Sequence, residues 1–249
     1  MRRTKRIFQF LFATALLTGL VGYLVHGSVL QAPASNTWAP TPGAMAEARS
    51  GAAAALLSDG RVLVTGGDGA AGALASAEAF NPDGSFSPVA SMAFPRSRHV
   101  SVALKDGRVL VAGGVTADSS ATTSAEIYDP TSDAWQAAGA MLEGRAGATA
   151  TLLQDGHVLI AGGENSGTAS QTLEVFDPVS DSFLPAGVMS SVRKDHAAAL
   201  LGDGRVLVIG GSTGDAVLAT SEVWDQASGQ NVAGPTLSVA RKGLTANDQ

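Results

Sequence analysis

No cysteine occurs among the 249 residues, so there is no disulfide framework, thiolate metal cage, cysteine nucleophile or lipid-anchored cysteine to consider. Aromatics are scarce at 5%, and charged residues make up only 15%. Excess basic charge is also missing: the formal net charge is −6. Setting aside residues 1–34 removes four of the 16 cations (Arg2, Arg3, Lys5 and Arg6) and none of the 22 acids, leaving 12 against 22, or −10. Binding to a phosphate backbone needs a basic face, so nucleic acid is excluded as a partner. What the chain does have is an apolar fraction of 45%, enough for a core, and 30 glycines without a Gly-X-Y period. That combination excludes collagen and points to a turn-rich β protein.

Residues 1–34 are read as an export segment. The basic run at Arg2, Arg3, Lys5 and Arg6 precedes an uncharged stretch from Ile7 to Val25, and Ala32-Pro33-Ala34 offers a small-residue cleavage site. The stretch fits a cleaved signal peptide or an uncleaved anchor helix with its basic end in the cytoplasm. Either way the remainder is expected outside the cytoplasm: secreted, periplasmic or at the cell surface. Contact with membrane is expected only through residues 7–25, and only if the segment is retained.

An internal period organises residues 35–249. Asp59-Gly60-Arg61-Val62-Leu63-Val64 returns at Asp106, at Asp155 (with His157 for Arg) and at Asp203, and each copy ends in a glycine pair: Gly66-Gly67, Gly113-Gly114, Gly162-Gly163 and Gly210-Gly211. Glu78, Glu126, Glu174 and Glu222 fall 48 apart, followed two residues later by Phe80, Tyr128, Phe176 and Trp224. A second aromatic follows in three copies, as Phe86, Trp135 and Phe183. Ahead of each Asp-Gly stand a methionine and an arginine: Met45 and Arg49, Met92 and Arg96, Met141 and Arg145, Met189 and Arg193.

Each unit reads as four short strands. His99–Leu104 is joined to Arg108–Ala112 through Asp106-Gly107, read as a two-residue hairpin turn. The glycine pair ends the second strand, a polar loop leads to a third at Ala125–Tyr128, and Asp129-Pro130-Thr131-Ser132 turns into a fourth around Trp135.

These motifs resemble the kelch repeat over about Trp38 to Arg241, in the variety common among exported bacterial proteins. The resemblance implies an all-β fold, a kelch-type β-propeller of four-stranded antiparallel blades, preceded by the N-terminal hydrophobic helix. Repeats are placed near 38–90, 91–138, 139–186 and 187–234, with a partial fifth at 235–249. Because kelch rings usually contain more blades, a fragment, a truncated product or an incomplete ring is expected. Copy four departs from the pattern, with Gln226 for proline and Asn231 near the missing aromatic.

Two matches are decoys. Gly67-Asp68-Gly69-Ala70-Ala71-Gly72 fits G-x-G-x-x-G, but the later copies lose that spacing while the blade pattern continues, so no dinucleotide is expected. Trp224-Asp225 mimics a WD dipeptide in the register of Tyr128-Asp129.

In a four-stranded antiparallel blade the second-to-third and fourth-to-first loops share one face, and binding is expected there because those loops vary. Arg96, Arg145 and Arg193 fit an anion clamp, or structural pairing with the repeated glutamates. Residues that break the repeat are stronger candidates: Arg98, His99, Lys194 and His196, with His99 and His196 standing where Ala52 and Ala148 stand. The post-glycine loops add Asp118 and Glu164, beside Asp68 and Asp215, as a candidate acidic rim. Two scattered imidazoles make no coordination shell, so neither a metal nor any other cofactor is expected. Galactose oxidases resemble this fold, but their copper site needs a tyrosine crosslinked to cysteine, which excludes that chemistry here. The resulting expectation is a non-catalytic binding or adhesion module for a protein or glycan ligand. Two alternatives are a sugar-modifying enzyme of the kelch mutarotase or epimerase type, using His99, His196 and Glu164 as acid and base groups, and blades that only complete a ring.

Overall fold

The computed structural model describes residues 40–246, so the export segment and the start of the first repeat near residue 38 lie outside the described residues. Every regular element among residues 40–246 is a β-strand. Blade 1 contains β1 (Ala53–Leu56), β2 (Val62–Thr65), a ribbon of β3 (Asp68–Gly69) and β4 (Gly72–Ala73), β5 (Ala77–Phe80) and β6 (Phe86–Val89). Blade 2 contains β7 (Val100–Ala103), β8 (Val109–Ala112), β9 (Ala125–Asp129) and β10 (Ala134–Ala137). Blade 3 adds β11 (Thr149–Leu152), β12 (Val158–Ala161), the ribbon β13 (Glu164–Asn165) and β14 (Thr168–Ala169), β15 (Thr172–Asp177) and β16 (Ser182–Val188). Blade 4 is β17 (Ala197–Leu200), β18 (Val206–Ile209), β19 (Ser221–Asp225) and β20 (Gln230–Ala233).

Within each blade the four long strands pair antiparallel in chain order. The first strands touch in sequence, β1 on β7, β7 on β11 and β11 on β17, which makes them the inner edge. Residues of β8 and β12 are buried throughout, while β10 and β20 are mostly exposed. This explains why the second strands read as unbroken Val/Leu/Ile runs without polar alternation: both of their faces are covered. The apolar clusters lie between blades, with Leu110, Ile127, Ile160 and Phe176 among those joining blades 2 and 3. Burial of each such side chain stabilises the stack by about 1.5–3 kcal/mol.

The first hairpin differs from the expected two-residue turn. Leu57 N–H donates to Arg61 C=O at 2.8 Å and Gly60 N–H donates to Leu57 C=O at 3.0 Å, so the loop holds three residues, Ser58, Asp59 and Gly60. Only Gly60 has a positive φ, +87°, which is the arrangement of a type I turn followed by a left-handed glycine. Asp59 Oδ1 accepts the Arg61 N–H at 3.0 Å, a side-chain bond that favours this longer loop.

The glycine doublets are blade-to-blade connectors. Gly67 N–H donates to the carbonyl of Arg96, in the next repeat, at 2.9 Å, and Gly66 has φ +55° with that same oxygen 2.3 Å from where a Cβ would stand. The Arg145, Arg193 and Arg241 carbonyls accept from Gly114, Gly163 and Gly211 in the same way. Met92, Met141 and Met189 set their methyl groups beside Gly66, Gly113 and Gly162, the first glycine of the preceding blade's doublet. The opening of the fifth unit docks on blade 4 by the same rule, with Leu237 N–H donating to Ala219 C=O at 2.8 Å.

Candidate ligand site above the inner cavity

The repeated arginines are structural. Arg96 Nη1 donates to the carbonyls of Gly113 (2.8 Å) and Ser124 (2.9 Å), and its Nη2 donates to Ser124 Oγ (2.9 Å) and Glu126 Oε1 (2.8 Å). The other carboxylate oxygen of Glu126 accepts the Ala93 N–H at 2.7 Å. Equivalent pairs join Arg49 to Glu78, Arg145 to Glu174 and Arg193 to Glu222 at 2.5–2.8 Å. The Arg96, Arg145 and Arg193 side chains are 0–1% exposed. The anion-clamp reading of Arg96, Arg145 and Arg193 is therefore corrected: a guanidinium with no exposed surface presents nothing to a ligand. Burial pulls the Arg96 pKa below its ordinary value, and Glu126 offsets only part of that shift.

His99 and His196 are also buried. His99 Nε2 is 2.8 Å from Thr65 Oγ1, and His196 Nε2 is 2.9 Å from Thr149 Oγ1. Burial first, and then the neighbouring Arg96 and Arg193 charges, push both imidazoles down to about 3, so both are neutral near pH 7. They form part of the wall of an open cavity of about 320 Å³ between the inner strands and the fifth unit, together with Ser101, Thr149, small residues of β7, β11 and β17, and Leu244, Thr245 and Ala246.

The residues just before those wall positions are Arg98, Gly147, Asp195 and Gly243, with Gly51 in blade 1. All five have φ between +52° and +63°. Their backbones are linked in series: Arg98 N–H donates to Gly51 C=O, Gly147 to Arg98, Asp195 to Gly147 and Gly243 to Asp195, at 2.7–3.0 Å. Glycine adopts this conformation without steric cost, so Arg98 and Asp195 hold it under strain of order 1 kcal/mol each. Their side chains meet over Gly147, Arg98 Nη2 to Asp195 Oδ1 at 3.1 Å. A Cβ on Gly147 would lie 2.7 Å from that carboxylate oxygen and 2.9 Å from that nitrogen.

Glu164, which opens the blade 3 ribbon, completes the group. It accepts from Arg98 Nη1 at 2.5 Å and from Lys194 Nζ. Burial would raise the Glu164 pKa, but hydrogen bonds from Lys194 and Arg98, together with their charges, outweigh it and hold the carboxyl below the usual range. About a third of the Arg98 and Asp195 side chains remains exposed. The repeat-breaking residues thus fall into two groups: Arg98, Glu164 and Lys194 joined by ion pairs, and His99 and His196 in the cavity wall. Asp118 stands apart from both. It is exposed and accepts from Thr116 Oγ1 (2.5 Å) and Ser120 N–H (3.1 Å) within its own loop.

Sequence reasoning missed Asp195. Its signal was the register Gly51, Arg98, Gly147, Asp195, Gly243, in which two side chains occupy a glycine position. The G-x-G-x-x-G match at Gly67–Gly72 forms the β3–β4 ribbon and opens no helix, so it lacks the helix N-terminus that would hold a pyrophosphate. Among the described residues no group of three or more His, Asp or Glu is placed to hold a metal ion.

Residues 95–142 match the kelch motif. No curated protein matches the chain. The solved structure of YjhT superposes with a TM-score of 0.65 at 15% identity, covering 78% of this chain and 67% of that one. A fungal alcohol oxidase of the AA5 family, solved in complex with copper, superposes with a TM-score of 0.50 at 17% identity, covering 77% of this chain and 54% of the oxidase. At these identities the likeness is one of fold, and with the kelch motif at 95–142 recurring in plan through all four sheets, the chain is built of kelch-type β-propeller blades.

Proposed function

We propose that this chain is a non-catalytic binding module whose ligand is held on the loop face, at the mouth of the inner cavity. The observation that carries the reading is the ion-pair group Arg98, Glu164, Lys194 and Asp195, in which Arg98 and Asp195 directly precede His99 and His196, two residues that line a cavity of about 320 Å³. These side chains belong to no blade-wide task, and two of them stand on strained backbone, a feature concentrated at functional sites. Two cations and two carboxylates side by side supply donors and acceptors with no net charge, which suits a hydroxyl-rich glycan better than a strongly charged ligand.

The low pKa of His99 and His196 weighs against the mutarotase or epimerase alternative, because an imidazole at about 3 is a weak base and carries no proton to donate near neutrality. We place the module outside the cytoplasm on the strength of the basic run and apolar stretch in residues 2–25.

Glycan and peptide arrays probed with wild-type protein and with Arg98→Ala and Asp195→Gly test the proposal. The expected result is glycan binding that weakens at least roughly tenfold in both variants, the scale of a lost charge-assisted contact of ~1.5–3 kcal/mol. Wild-type binding that survives in both variants would refute the site. Turnover of a reducing sugar would overturn the non-catalytic assignment.

A further inference from the structure

The hydrogen bonds made by the two buried imidazoles differ in a telling way. His99, opening blade 2, meets Thr65 at the end of β2, on the second strand of blade 1. His196, opening blade 4, meets Thr149 at the start of β11, on the first strand of blade 3. Thr65 pairs across its sheet with Ala53, and Thr149 pairs with Ala161. The two threonines therefore occupy opposite ends of the same rung in blades 1 and 3, and either strand delivers a hydroxyl to the same imidazole.

The outer rim repeats this. Trp135 donates its indole N–H to Ala90 C=O at 2.7 Å, and Trp224 donates to Ala186 C=O at 3.1 Å, each acceptor lying at the outer strand of the preceding blade. Trp135 stands on the fourth strand of blade 2, opposite Tyr128; Trp224 stands on the third strand of blade 4, opposite Asn231. The residue moves across the rung and the bond stays.

Neither bond exists between blades 2 and 3. Ala148 holds the imidazole position, and the aromatic rung is Phe176 with Phe183, which have no donor. That junction is closed by the apolar cluster of Ile127, Ile160, Phe176 and Phe183, and by Arg98 on Glu164. The ribbons follow the same alternation, β3–β4 in blade 1 and β13–β14 in blade 3, as do the left-handed glycines 51, 147 and 243.

We infer that the structural unit of this array is the blade pair, 1 with 2 and 3 with 4, each pair locked by an imidazole–hydroxyl bond at the inner edge and an indole–carbonyl bond at the rim. His99 and His196 are positioning residues, fixing the even blade on the odd one and holding the cavity wall. In the fifth unit Leu244 holds the imidazole position against Gly210 and brings no hydrogen-bonding group to it.

The full chain tests this by moving a threonine across its rung. Thr65→Ala should lower the melting temperature by roughly 2–6 °C, the scale of one lost buried hydrogen bond in a chain of this size. Hydrogen exchange should quicken in peptides covering β2 and β7, while β11 and β17 keep wild-type rates. Thr65→Ala with Ala53→Thr should recover most of the loss, because half-buried Ala53 stands where Thr149 stands in blade 3. The mirror pair, Thr149→Ala with Ala161→Thr, repeats the test in blades 3 and 4. No recovery in either double variant, or exchange that quickens equally in all four blades, would overturn the inference.

Discussion

Replacing Glu126 by glutamine neutralises one member of a buried pair and turns an acceptor aimed at the Ala93 N–H into a donor. Its partner Arg96 has no exposed surface, and its pKa already lies below the ordinary value with Glu126 in place. Removing the opposite charge leaves the desolvation of the guanidinium uncompensated. Breaking a buried pair this way costs about 3–5 kcal/mol, which for a chain of this size lowers the melting temperature by roughly 6–20 °C. Urea unfolding followed by far-ultraviolet circular dichroism measures it. The exposed turn pair Arg61 and Asp59, at 28% and 48% exposure, is the internal control, and Arg61→Ala should cost less than about 1 kcal/mol. Arg96→Met with Glu126→Leu should not rescue stability, although apolar replacement often rescues buried ion pairs. Here it strands the Gly113 carbonyl and the Ala93 N–H, each costing about 1–3 kcal/mol when left unpaired. A Glu126→Gln loss below about 1 kcal/mol, or full rescue by the apolar double variant, would refute the reasoning.

Two further outcomes follow from the same geometry. Gly66→Ala should cost roughly 3 kcal/mol or more by urea unfolding, since its φ is +55° and a Cβ meets the Arg96 carbonyl at 2.3 Å; Gly60→Ala, at φ +87° with nothing within 4 Å, should cost only about 1–2 kcal/mol. Equal losses would deny the doublet its connecting role. For the imidazoles, the folded pKa of about 3 lies below the ordinary 6.5, so the unfolded chain binds more protons between those values. Their contribution is present in full above pH 6.5 and is lost as pH falls toward 3, by up to about 1.4 kcal/mol per pH unit for each histidine. His196→Leu should therefore flatten the pH dependence of unfolding free energy by up to one proton between pH 6 and 4, and an unchanged slope would show that His196 is not buried neutral.

The blade plan could be read from the sequence because each repeated residue has a local task that every blade shares. The glycine doublet and the arginine with its glutamate recur in all four blades and the aromatic pair in three, and all lie in contacts within a blade or to its neighbour. What the sequence hid is of two kinds. The length of the Asp-Gly turn is one, because Asp-Gly suits both a two-residue turn and a three-residue loop, and the Asp59 bond to the Arg61 N–H decides between them. The mouth group was hidden by distance: Arg98 meets Glu164 and Asp195 across 66 and 97 residues, and only the stacking of blades brings those loops together.

The separation between scaffold and site has a physical cause. A residue present in every blade sees nearly the same surroundings each time, and in a closely packed stack those surroundings are other blades. Arg49, Arg96, Arg145 and Arg193 are therefore buried together, however well a guanidinium suits an anion. A ligand on the loop face meets only what the blades do not share. At the inner edge the shared feature is a glycine in the left-handed conformation, and the departures are Arg98 and Asp195, two blades apart with the bare Gly147 between them. The absence of a side chain on Gly147 lets the opposite charges touch across it. The strain at Arg98 and Asp195 is a cost that glycine at those positions would not carry, and that cost is the reason to expect a function for the group they form.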